Sequence, residues 1–166
     1  RGILMLKILS IVGAVAGAAG LSQFPEFSQQ YLQRLAGKVD ALGLVVVEFD
    51  ATATANGLTR AAALGELTGT GFLDDRQTDM RRLIARYERL GGNLVALRAA
   101  SPLARLAMPH KLGDAETLRA TYADFRPAVP VTVDGAISAG IGYLAGWGLT
   151  AGLLSLLARP FRRRVA

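Results

Sequence analysis

The 24 residues Gly135–Ala158 (GAISAGIGYLAGWGLTAGLLSLLA) carry no charged side chain. As a helix rising about 1.5 Å per residue they extend about 36 Å, enough to cross a hydrocarbon core of about 30 Å. Lipid offers backbone N–H and C=O groups no partners, so a stretch like this closes its hydrogen bonds within a helix. Arg159, Pro160 and Arg162–Arg164 follow at once and mark a polar boundary. The stretch therefore predicts a transmembrane helix.

A second apolar stretch, Ile3–Leu21, is interrupted by Lys7, and its uncharged part is Ile8–Leu21. Lys7 lies about one turn inside the start, where a long side chain can snorkel to the membrane surface. A cleavable signal peptide ending at the small residues Ala14-Val15-Ala16 is the competing reading. A retained span is preferred, because the small residues have a second use. Ser10, Gly13, Gly17 and Gly20 recur at three, four and three, and Gly135, Ala139, Gly142 and Gly146 at four, three and four. Such spacings put each set on one helix face. Small faces let membrane helices approach closely, so the two stripes are expected to pack as an antiparallel pair with Gly20 beside Gly135. Gly148 and Gly152, next to Trp147, form a possible second packing face.

The net charge of +6 raises the question of a nucleic-acid partner. Its placement answers against one. Residues 22–128 hold 13 Lys/Arg and 12 Asp/Glu, a net +1, while Arg1, Lys7, Arg159 and Arg162–Arg164 flank the apolar stretches. Basic residues there are a topology signal, and they predict both ends in the cytoplasm with the middle outside, periplasmic in a bacterial inner membrane. With no cysteine, disulfides and thiolate chemistry are excluded.

Between the spans the pattern is helical throughout. Pro25 suits a first helical turn. Phe24, Phe27, Tyr31, Leu35, Val39, Leu42, Val46 and Phe49 recur every three or four residues, ending at Asn56-Gly57. Thr59 can cap a short helix through Leu67, and Thr68–Gly71 reads as a loop that lacks the strand and lysine of a phosphate cradle. Met80, Leu83, Tyr87, Leu90, Leu94 and Leu97 form a second stripe, with a kink expected at Gly91-Gly92 and an end at Ser101-Pro102. Asp114 caps a last helix to Phe125, before Pro127 and Pro130. The two long stripes are expected to pair as a helical hairpin. The fold is all-α: a transmembrane helix over 1–21, an extracytoplasmic helical domain over 22–130, a second transmembrane helix over 131–158 and a basic tail over 159–166.

Little here points to chemistry. His110 is the sole histidine and reads as an exposed loop residue. Asp74, Asp75 and Asp79 lack calcium-loop spacing and suit a helix start, where negative charge is favourable. Arg81, Arg82, Arg86 and Arg89, with Glu88, read as a solvated face. Asp134 reads as a cap at the membrane boundary. No catalytic set, metal or cofactor is expected, so the chain is read as not an enzyme.

The segment Ser22–Arg34 (SQFPEFSQQYLQR) resembles an uncharacterised proteobacterial family of small two-span inner-membrane proteins, through Pro25, Phe27, Gln30, Tyr31, Gln33 and Arg34 in the pattern Pro-x-Phe-x-x-Gln-Tyr-x-Gln-Arg. The resemblance implies the two-span layout and a bacterial source, and no activity. Phe24, Pro25, Phe27, Gln30, Tyr31, Gln33 and Arg34 also form a candidate recognition segment, since aromatic rings on one face suit the membrane surface. The expected function is that of a non-enzymatic accessory or assembly subunit. Its expected partners are the lipid bilayer and another membrane protein or a second copy. The alternative is an envelope binding module, whose periplasmic helices engage a lipid, ligand or protein.

Overall fold

The computed structural model describes residues 2–127 and 132–162, and it is helical with no strand among them. Six α-helices follow in order: α1 (Gly2–Ser22), α2 (Phe24–Ala55), α3 (Arg60–Glu66), α4 (Gly71–Ala99), α5 (Ala115–Asp124) and α6 (Val133–Arg162). Two single 3-10 turns, Ala104–Ala107 and Pro109–Lys111, lie between α4 and α5. These turns have no counterpart in the sequence reading, because three- and four-residue segments are too short to show a period. Arg1, Pro130, Arg163 and Arg164 fall outside the described residues.

The helix ends follow from local chemistry. Beyond α2 the amide of Gly57 donates to the Thr54 carbonyl at 3.0 Å and that of Leu58 to the Ala53 carbonyl at 2.9 Å. This pair of bonds closes a helix through a left-handed residue, and Gly57 supplies it at φ +70°. Thr59 and Thr70 accept from the amides three residues on, at 3.2 and 3.3 Å, and so start α3 and α4. Two helices run on past positions that the sequence marks. α4 runs unbroken through Gly91-Gly92 and α6 through Arg159-Pro160 to Arg162. Glycine weakens a helix interior by only about 1 kcal/mol, which the 29-residue α4 absorbs.

The chain divides into two compact units. The first comprises residues 1–29, 102–107 and 124–166, the second residues 30–101 and 108–123. In the first unit α1 and α6 pack together. Windows of Leu4–Ala55 and Val133–Leu157 are apolar enough to cross a membrane, and only 11% and 6% of them is buried. Helices of a water-soluble core bury such residues. Here Leu4, Met5, Ile8, Val12, Leu144, Leu149, Leu153 and Leu157 are exposed.

The second unit buries its apolar side chains instead. Val46 of α2, Leu64 of α3 and Ile84 of α4 form a cluster, with Phe49, Leu67, Met80, Leu83 and Tyr87 packed on it. Leu35, Leu90, Leu94 and Leu97 are also buried, and the two long stripes meet in the Val46–Ile84 cluster and where Tyr87 lies against Gly43. Ile84 is a core residue outside the expected stripe.

Candidate functional site

The backbones of α1 and α6 approach each other closely. A methyl group built on Gly17 would overlap the Gly142 carbonyl oxygen, and one on Gly142 would overlap that of Gly17. A methyl on Gly146 would likewise overlap the Gly13 carbonyl oxygen, whereas one on Gly13 would overlap the Thr150 side chain and stand 3.1 Å from the Gly146 oxygen. The backbones therefore touch through Cα–H groups, a contact that only glycine permits. Gly13 opposes Gly146 and Gly17 opposes Gly142, so the helices are antiparallel, with the opposition shifted by about one turn from a Gly20–Gly135 register.

The contact rows advance by four residues: Gly13, Gly17 and Leu21 on α1, and Gly142, Gly146 and Thr150 on α6. Ser138, completely buried, extends the α6 row, while Ser10 and Ala14 form a parallel buried row on α1. Rows of four are the ridges used by close crossings of small-residue helices. This explains why an alternating spacing of three and four misplaces two positions. Gly20 is exposed with nothing within 4 Å of a built methyl. Ala139 is half-buried, and Ser138 takes its place on the seam. Gly135 is buried. Gly148 and Gly152 are exposed and have open space where a side chain would stand.

In the second unit the chemistry collects at Asp114. Its carboxylate accepts from Lys38 Nζ at 3.0 Å, Arg86 Nη2 at 3.3 Å, the Thr117 amide at 3.1 Å and the Thr117 hydroxyl at 2.7 Å. Glu116 accepts from the same two cations, at 2.9 and 2.7 Å. Asp114 thus caps α5, as expected, and also ties it to α2 and α4. Burial works against its charge, but the bonds from Thr117 and Lys38 outweigh that and hold the carboxyl well below the usual range. Arg86 departs from the solvated face expected of it, because a carboxylate 28 residues away claims it. Arg81, Arg82 and Arg89 are exposed, as is Glu88.

The proposed recognition segment splits by side chain. Tyr31 is completely buried, and its oxygen accepts from the Asp114 amide at 3.3 Å. It therefore offers no surface for a ligand, and burial raises its pKa. The correction has a simple cause: a tyrosine with an internal partner for its hydroxyl gains more from the core than from an interface. Tyr31→Phe removes that one acceptor, and a loss of about 1 kcal/mol is expected in a thermal melt of the full chain in mild detergent. Phe27 is half-buried with its ring edge-on to Phe125 at 5.5 Å. Phe24, Pro25 and Gln30 are half-buried, and Gln33 and Arg34 exposed.

One buried residue had no signal in the sequence. Arg105, in the first 3-10 turn, is 6% exposed and donates to Ser28 Oγ at 3.4 Å and Gln29 Oε1 at 3.3 Å. Burial lowers its pKa. His110 is exposed. Among the described residues no group of three or more His, Asp or Glu side chains could hold a metal ion.

The chain matches the family model described as "Protein of unknown function (DUF2937)" over residues 5–163, nearly its whole length, and belongs to that family. It matches no curated protein and no solved structure.

Proposed function

We propose that this member of a family without an assigned activity is a non-enzymatic two-span membrane protein that docks, as an accessory or assembly subunit, onto another membrane protein or a second copy. The observation that supports it most is the pairing of α1 and α6 through glycines, with large apolar side chains left exposed around the pair. That surface suits lipid, and water would penalise it. The second unit, with its own buried core and a balance of 11 Lys/Arg to 10 Asp/Glu, suits an aqueous compartment. The basic residues Lys7, Arg159 and Arg162–Arg164 favour a cytoplasmic side for the Lys7 end of α1 and the far end of α6. The second unit is then outside, in the periplasm of a bacterial inner membrane.

Gly13, Gly17, Gly142 and Gly146 are consumed within the chain, so docking falls to the open α6 face at Gly148 and Gly152. The test is purification of the tagged full chain from native membranes in mild detergent. A stoichiometric partner or dimer is expected, and Gly148→Leu with Gly152→Leu should reduce its recovery about tenfold while the α1–α6 pair stays intact. Recovery of the wild-type chain as a lone monomer would overturn the subunit reading.

A further inference from the structure

α5 ends where the first unit reaches its polar boundary. Lys7 and Glu26, the charges nearest the two ends of the first apolar stretch, lie 19 residues apart. That is about 29 Å of helix, against a hydrocarbon core of about 30 Å. Only Gln23 separates α1 from α2. On the other span, the register that pairs Gly17 with Gly142 continues to Glu26 level with Val133, one residue before Asp134. Both helices thus pass from apolar to charged at one level. Phe27 stands at this level, and its ring meets that of Phe125 edge-on at 5.5 Å. Phe27, Phe125 and Asp124, the last residue of α5, all belong to the first unit. Tyr122 is three residues from Phe125, so the two Cα atoms are at most about 11 Å apart in whatever direction α5 runs.

The rotation of α5 about its own axis is fixed as well. Thr117 and Thr121 are buried, and Glu116 accepts from Lys38 and Arg86 on one flank. Successive residues of a helix turn by about 100°, so Leu118 and Tyr122 fall on the opposite flank. They are 39% and 77% exposed. Arg119 and Arg126, close by in sequence, are exposed too. Single apolar side chains in water need no cover, so exposure alone would assign no occupant. The tether to Phe125 assigns one. At the depth of the headgroups a tyrosine ring takes the interface with its hydroxyl wet, a leucine meets acyl chain, and guanidinium groups reach phosphate.

We propose that the Leu118–Tyr122 flank of α5 lies in the headgroup layer of the bilayer, its tyrosine ring at the depth of Phe27 and Phe125 and its neighbours Arg119 and Arg126 on lipid phosphates. The proposal rests on the reading that α1 and α6 lie in lipid. The chain has no cysteine, so single-cysteine variants of the full chain each carry one environment-sensitive fluorophore. They are reconstituted in vesicles of phosphatidylcholine and phosphatidylglycerol, with helical content checked by circular dichroism. A nitroxide at the headgroup end of some lipids should quench most of the emission from Tyr122→Cys. It should do the same for Leu118→Cys, which leaves the tyrosine in place. Thr54→Cys, exposed near the end of α2, should keep its emission. Leu144→Cys, exposed on α6, should be quenched by a nitroxide deep in the acyl chain. Emission retained at either α5 position, or lost equally at Thr54→Cys, overturns the surface helix alone, provided Leu144→Cys is quenched. Emission retained at Leu144→Cys overturns the lipid-embedded reading and the proposal with it.

Discussion

Replacing Gly142 with leucine is expected to separate α1 from α6. The new side chain would lie well inside van der Waals contact with the Gly17 carbonyl and the Leu21 side chain, and backbone cannot swing aside as a flexible side chain does. Overpacking of a well-filled site usually costs about 1–3 kcal/mol, and a clash with backbone belongs at the upper end. Titration of the full chain with a denaturing detergent, followed by the fluorescence of Trp147, its single tryptophan, reads this directly. A loss of about 3 kcal/mol is expected for Gly142→Leu and again for Gly17→Leu. Gly20→Leu and Gly148→Leu, with open space at the same atom, should stay within about 0.5 kcal/mol of wild type. Equal midpoints for all four would show that the seam carries no stability. The same contrast separates seam from docking face: Gly148→Leu should leave the pair closed yet cost the partner.

The second large effect is expected at Asp114. Removing this carboxylate strips α5 of its cap and leaves Lys38 and Arg86 facing a site with no balancing charge but the exposed Glu116. Loss of a cap costs about 1 kcal/mol, and breaking a largely buried ion pair about 3–5. Lys38 and Arg86 retain 20% and 36% of their side-chain exposure, which moderates the second figure. Asp114→Ala should therefore destabilise the second unit by about 2–4 kcal/mol. Hydrogen exchange should show the amides of Thr117 and Leu118 losing protection first, because their acceptors are the Asp114 carboxylate and carbonyl. Asp114→Asn keeps a capping oxygen and loses only the charge, so its cost should be smaller.

The same residue sets a pH dependence. Its folded pKa is depressed, so the stability it contributes is fully present above the unfolded value of about 3.9 and is lost as pH falls through the folded one. A stability profile of wild type should hold level down to about pH 4 and decline below it. In Asp114→Asn this part of the decline should vanish, and an unchanged acid slope would assign it to other carboxylates.

Much of this architecture is legible in residue order alone. Each long helix announces itself through a period or an uncharged run, and Asn56-Gly57, Thr59 and Asp114 mark ends by chemistry confined to a few neighbours. The family relation agrees with the resemblance of Ser22–Arg34 as far as an uncharacterised family goes. Other features depend on what meets across space. Lys38, Arg86 and Asp114 are each unremarkable in their local strings, and their union needs α2, α4 and α5 in place. Spacing alone put Gly20 on a face with Gly13 and Gly17, yet it could not say whether the partner helix would follow a row of fours. Tyr31 reads as an interfacial aromatic until the Asp114 amide, 83 residues away, gives its hydroxyl an internal partner.

The pairing of Gly17 with Gly142 also fixes an order of events during synthesis. The two glycines are 125 positions apart, so α1 leaves the ribosome long before the surface it fits exists. At about 5–20 residues per second the interval is about 6–25 s. Through that time the groove of α1 stays open to any other small-faced helix nearby, and the second unit can fold before the ends of the chain meet. Closure by α6 is thus a late step in assembling the pair.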